Sequence, residues 1–148
     1  MGGTDRLKFS VVGDPVNVAS RLEDLTKPCG AEILLSEHTY GLLEDPDSYR
    51  ARRIGRVHIP GRVAPLVVHE IFEEAAEPER ARKSAGLADY EAAVDRYLEG
   101  DLKAACDLFA RCAGSNPDDP VVGAYLDRCR AVLRSGVPEN WDGTIDFS

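Results

Sequence analysis

The spacing of apolar residues changes character once along this 148-residue chain, and that change limits what it can fold into. Up to Phe72 two periods are mixed. Leu7, Phe9 and Val11 alternate with Lys8, Ser10 and Val12, the period-two mark of a strand, while Val18, Leu22 and Leu25 recur at helical spacing. From Leu87 onward only the helical period remains. The first run presents positions 87, 90, 94, 97 and 98, the second 102, 105, 106, 109 and 112, and the third 122, 125, 126, 129 and 133. Between the two regimes lies EEAAEPERARKS, charged, interrupted by a proline and poor in core anchors. The expected organisation is an α+β part over 1–72, a linker over 73–84, a small all-α unit over 85–135 and a tail over 136–148.

Within the front part, Gly13 ends the first strand. Asp14 is suited to accept the free N–H groups of a helix start, and Pro15 fits its first turn. That helix is expected to reach Lys27 and to end at Pro28 and Gly30. Ala31 to Leu35 reads as a strand, with Ser36 as the N-cap of a helix through Leu43. Tyr49 to Ile59 and Leu66 to Phe72 read as two strands joined by Pro60-Gly61. Helices over a sheet are the natural layering. In the back part, Gly100-Asp101 and Asn116-Pro117 separate three amphipathic helices into an antiparallel array. Ala105, Phe109 and Pro117, with Gly100 before them, fall at the offsets of a tetratricopeptide repeat (TPR). The match is partial, so the unit is TPR-like. Trp141, the single tryptophan, is expected to tuck back onto these helices.

Charge divides in the same place. Residues 1–72 carry nine Lys/Arg against ten Asp/Glu, and residues 73–148 carry nine against sixteen. A net charge of −8 argues against general nucleic-acid binding, which depends on a basic field. No window approaches the roughly 20 apolar residues of a spanning helix. The start, MGGTDRLKF, has no apolar h-region, which reads as cytoplasmic. Cys29, Cys106, Cys112 and Cys129 form no CxxC pair and have no histidines at zinc-finger spacing. They read as reduced, buried hydrophobes with no metal site.

The segment with chemical content is FSVVGDPVNVASR, residues 9–21. Asn17 and Arg21 stand at i and i+4, neighbours on one helix face, with Ser20 and Asp24 on the same side. By spacing alone a solvated polar stripe is the simpler account. Asn and Arg are also a useful couple for phosphate chemistry. A guanidinium matches phosphate oxygens, and a carboxamide can orient a hydroxyl.

RLKFSVVGDPVNVASRLEDL resembles the nucleotide-binding strand and helix of class III adenylate and guanylate cyclases, whose pattern there is a Gly-Asp or Gly-Asn turn followed by V-N-x-A-x-R. The similarity continues through ILLSEHTY and IGRVHIPGRVAPLVVHEIF, covering about residues 4–72. The back part, with PENWDG, resembles the helical extension of some bacterial members. The resemblance implies the second half of a ferredoxin-like cyclase domain, acting on ATP or GTP to give a 3′,5′-cyclic monophosphate and pyrophosphate. Two divalent ions, Mg or Mn, would bridge nucleophile and phosphates. It implies that Asn17 orients the ribose and that Arg21 neutralises charge growing at the α-phosphorus. Ser10 falls at the base-sensing position, where a hydroxyl leans towards adenine.

Two departures from the family pattern matter. The metal-binding aspartates lie on strands before this segment, and neither Asp5 nor Asp14 matches them. The lysine that grips the terminal phosphates falls on Pro60, with Arg62 the nearest candidate replacement. Arg52, Arg53 and Arg56 read as solvated strand residues. The resulting expectation is an adenylate-type cyclase fragment, inactive alone, that needs a second cyclase domain as homodimer or complementing partner. The alternative is a non-catalytic module that pairs with a cyclase and docks proteins through its helices. A half domain would also leave strand edges and an apolar face to be covered, so dimerisation is expected.

Overall fold

The computed structural model describes residues 15–148, so the expected strand Leu7 to Val12, and with it Ser10, Asp5 and Asp14, lies outside the described residues. The architecture is α+β, a small antiparallel sheet with helices followed by a run of helices. Two compact units account for it: one runs up to Glu74 and includes Asp146–Ser148, the other spans Ala75–Ile145.

The first unit opens with helix α1 (Val16–Cys29), which buries Val18, Leu22, Leu25 and Cys29 at intervals of three and four. Pro15 is its N-cap rather than its first turn, and the helix runs two residues past the expected Lys27. Pro28 is tolerated because it sits in the last turn, and Gly30, at φ 62°, closes the helix. The Gly30 N–H bonds to Lys27 O and the Ala31 N–H to Thr26 O, satisfying two terminal carbonyls. Strand β1 (Ile33–Ser36) follows, then the short helix α2 (Glu37–Gly41), where Ser36 Oγ accepts the Thr39 N–H at 3.1 Å. Strands β2 (Ala51–Val57) and β3 (Leu66–Ile71) complete an antiparallel sheet in the order β1-β3-β2.

Register sorts the side chains. Ile33, Ile71 and Ala51 stand opposite one another, as do Leu35, His69 and Arg53. These share one face with Tyr40, Leu43 and Tyr49, where Leu35, Leu43 and Ile71 form a buried cluster. Leu34, Glu70 and Arg52 make up a row of the opposite face. Between Arg53 and Gly55 the register shifts by one residue, so Ile54 is the extra residue of a β-bulge, and Gly55 there has φ 134°. The bulge puts Arg53 and Arg56, three positions apart, opposite His69 and Val67 on the same face.

Arg52 overturns the expectation of a solvated strand arginine. Its Nε lies 2.7 Å from Glu70 Oε1, and the two side chains are only 3% and 1% exposed. A cross-strand neighbour of opposite charge is what allows a guanidinium to be buried there.

The helices of the second unit are α3 (Glu79–Ala85), all but its last residue within the stretch read as a linker, and α4 (Leu87–Glu99), α5 (Leu102–Ser115) and α6 (Pro120–Ser135). Gly100, at φ 86°, ends α4. Asp101 and Asp119 cap α5 and α6 through the N–H groups of Ala104 and Val121. The core is a continuous run of rings. Tyr90 meets Phe109 edge-on, Phe109 stacks on Tyr125 at 4.7 Å, Tyr125 meets Tyr97, and Tyr97 meets Trp141 at 5.0 Å. The Trp141 indole N–H donates to Tyr97 O at 2.7 Å, so the tryptophan does fold back onto the helices.

Candidate functional site

The buried stripe of α1 turns Asn17 and Arg21 to the outside. Asn17 Oδ1 accepts the Val18 N–H at 3.0 Å, which leaves the carboxamide NH₂ as the group able to donate to a ligand. The only ion pair described for Arg21 is with Asp24, at 3.9 Å between side chains 54% and 68% exposed. A contact so long and so wet is worth close to nothing, so it does not hold the guanidinium back from an anion.

The third element of the site is the turn after β2. Arg62 N bonds to Ile59 O at 3.0 Å and Gly61 has φ 86°, the geometry of a type II turn with Pro60 leading it. This turn carries Arg62 to the start of α1. Asn17, Val18, Arg21, Pro60, Gly61 and Arg62 line one hollow of about 100 Å³. Pro60, at the position of the expected lysine, offers it no charge, while Arg62 does.

A second hollow of about 350 Å³ shares Val18 and Arg62 with the first. Its wall adds Pro65, Leu66 and Val67 from the start of β3, and Ser36, Glu37 and His38 from the start of α2. Sequence reasoning missed Glu37 and His38, because it read Ser36 only as a cap and gave the first turn of α2 no further role. Beside them, His69 on β3 stacks on Tyr40 at 4.3 Å, with Glu37 Oε1 3.7 Å from its Nε2. Burial holds the His69 pKa below the ordinary 6.5, against the opposing pull of Glu37.

No group of three or more His, Cys, Asp or Glu among the described residues could hold a metal ion. The described residues therefore do not fit a two-ion centre.

The adenylate and guanylate cyclase catalytic-domain model matches residues 1–72. That stretch contains both α1 and the turn bearing Arg62. Over those residues the chain is similar to the class III nucleotide cyclases. The cyclase segment is 39% identical over 72 residues to an adenylate cyclase of Anabaena cylindrica, a match covering 48% of this chain and 14% of that protein. It is 34% identical over 71 residues to adenylate cyclase 1 of Rhizobium meliloti, covering 48% of this chain and 10% of the relative. The terminal-differentiation specific adenylate cyclase of Dictyostelium discoideum is 27% identical over 130 residues, 87% of this chain and 6% of its own length. That match extends past the cyclase segment into the helical unit. The chain thus spans less than a sixth of each of these relatives. No solved structure matches it.

Proposed function

We propose that the cyclase segment supplies the nucleotide-orienting half of an adenylate cyclase centre, converting ATP into 3′,5′-cyclic AMP and pyrophosphate. The observation that carries this reading is the shared hollow: Asn17, Arg21 and Arg62 come from segments some forty residues apart, yet line one cavity. In it the Asn17 NH₂ donates to the ribose and fixes the 3′-hydroxyl towards the α-phosphorus. Arg21 meets the charge that grows on the α-phosphoryl oxygens, a preorganised contribution on the order of 10³ in rate. Arg62 takes the terminal phosphates in place of the lysine position occupied by Pro60. Ser10 senses the base, its hydroxyl suiting adenine.

In this reading the metal ligands come from outside the described residues. The family chemistry uses two divalent ions, and the described residues offer no ligand cluster for them. A complementing cyclase domain that carries the metal-binding aspartates completes the centre, since a second copy of this segment adds no ligand cluster among the described residues. Residues 85–135 form a TPR-like extension that can dock a protein. Exposed Val16 and Val63, next in sequence to Asn17 and Arg62, support a partner covering this face.

The test mixes the intact chain with a cyclase domain that carries the metal-binding aspartates but has its own Asn and Arg positions replaced. Cyclic AMP is expected from the mixture with Mg or Mn, none from this chain alone, and about 10³-fold less from the mixture when Arg21→Ala is used. Turnover by the chain alone, or none from the mixture, overturns the proposal. Pairing without turnover is the outcome expected of a non-catalytic module, the reading that Pro60 favours.

A further inference from the structure

Three of the four cysteines lie in the helical unit, two of them on neighbouring helices at matching distances from the connection. Helices α5 and α6 are joined by only four residues and pack as an antiparallel pair. Phe109 of α5 and Tyr125 of α6 stack across that pair, their rings 8° from parallel. One turn farther from the connection stand Cys106, at i−3 from Phe109, and Cys129, at i+4 from Tyr125. Both share a face with the ring beside them, and they are equally distant from the centre of the connection. Cys129 is wholly buried, whereas Cys106 is partly open to solvent. Burial, with a smaller contribution from charge on Cys106, pushes the Cys129 thiol up to about 12.

We infer that Cys106 and Cys129 are a peroxide-oxidisable thiol pair, closing a disulfide between α5 and α6. Cys106, the one solvent reaches, reacts first. Its thiolate attacks one oxygen of a hydroperoxide, the O–O bond breaks, and the leaving oxygen takes a proton, giving Cys106 sulfenic acid and water from hydrogen peroxide. The Cys129 sulfur then attacks Cys106 Sγ, the S–O bond breaks, and hydroxide leaves with the Cys129 proton as a second water. Two thiols lose two electrons in all, and the peroxide gains them. The bond staples the helical unit independently of anything bound at the cyclase segment.

The experiment treats the full chain with hydrogen peroxide, then counts thiols under denaturing conditions and maps the peptides. Four thiols should fall to two, intact mass should drop by two hydrogens, and one peptide pair should join Cys106 to Cys129. Dithiothreitol should reverse the change. Cys106→Ser should keep its three thiols free of any bridge, and Cys112→Ser should still form the bridge. Because Cys106 is only partly buried, Cys106→Ser carries the test even where Cys129→Ser fails to fold. Four thiols surviving the treatment, a Cys106 oxidised beyond the sulfenic acid with Cys129 still free, or a bridge to Cys112 would each overturn the inference.

Discussion

Arg62 and Pro60 line the same hollow at the turn after β2. In the proposed reading Arg62 supplies the charge that Pro60 lacks, so this is where a single side chain has the largest consequence for the proposed nucleotide site. In the complemented assembly, Arg62→Ala should raise KM for ATP about ten- to hundredfold, the worth of one charge-assisted contact. Adding Pro60→Lys should recover most of it, since Pro60 lines the same hollow. Steady-state kinetics of the two variants decides the matter, and an unchanged KM in Arg62→Ala would remove Arg62 from the site. His69 offers a second residue-level test. Its pKa lies below the unfolded value of 6.5, so the unfolded chain binds the proton more readily. The stability this histidine contributes is complete above about pH 6.5 and is lost as pH falls towards its folded pKa. His69→Phe, which keeps the ring against Tyr40, should lose less stability than the wild type between pH 7.5 and 5.5 in urea titrations. Helical spacing alone made it legible that Asn17 and Arg21 share a face. That Arg62 would line the same hollow was beyond periodicity, because a turn forty residues on sets its position. The buried Arg52–Glu70 pair was hidden for a related reason: a charged residue in a strand reads as wet until its cross-strand neighbour is known.

At the scale of elements, α4, α5 and α6 follow their apolar period closely, and α4 spans Leu87–Glu99, from the first position of its apolar run to the break at Gly100. Local signals suffice there, since Gly100, Asp101 and Asp119 each end or cap a helix on their own. The sheet was less legible. A one-residue bulge at Ile54 shifts the phase of the period-two pattern, but a seven-residue strand is too short for that shift to be read from sequence, and Pro28 marks a helix end only to within a turn. The tail after α6 is held by close contact rather than by pattern. Gly143 has φ 75°, and a Cβ there would lie 2.7 Å from Leu98 Cδ2 and 3.2 Å from Leu98 Cα. Gly143→Ala should therefore cost the helical unit about 1–3 kcal/mol. By contrast, Gly114→Ala within α5, where nothing lies within 4 Å, should be neutral or stabilise by up to about 1 kcal/mol. Thermal melts followed by circular dichroism separate the two, and equal melting temperatures would remove the clamp at Leu98.

For the whole molecule, the two units differ in kind as well as charge: a small sheet with helices, and a helical array with an aromatic core. No described helix is long and apolar enough to cross a membrane. In the first unit Val63 is fully exposed and Val16 is 87% exposed, both beside the candidate hollow. Apolar residues left open at an incomplete site should drive self-association. Sedimentation velocity should show dimers or larger species at tens of micromolar, shifted towards monomer by Val63→Asp. A wild type that stays monomeric would argue against an apolar face at Val16 and Val63 that needs covering. The bulge in β2 gains a meaning at this scale. Sliding β2 along β3 by one residue would move the following turn about 3.3 Å and reverse which way its side chains point. An extra residue locked at Ile54, with Gly55 in a backbone conformation few other residues accept, makes such slippage costly. The hairpin thereby acts as a ruler, setting how far a cation at its tip stands from the amide and guanidinium across the hollow.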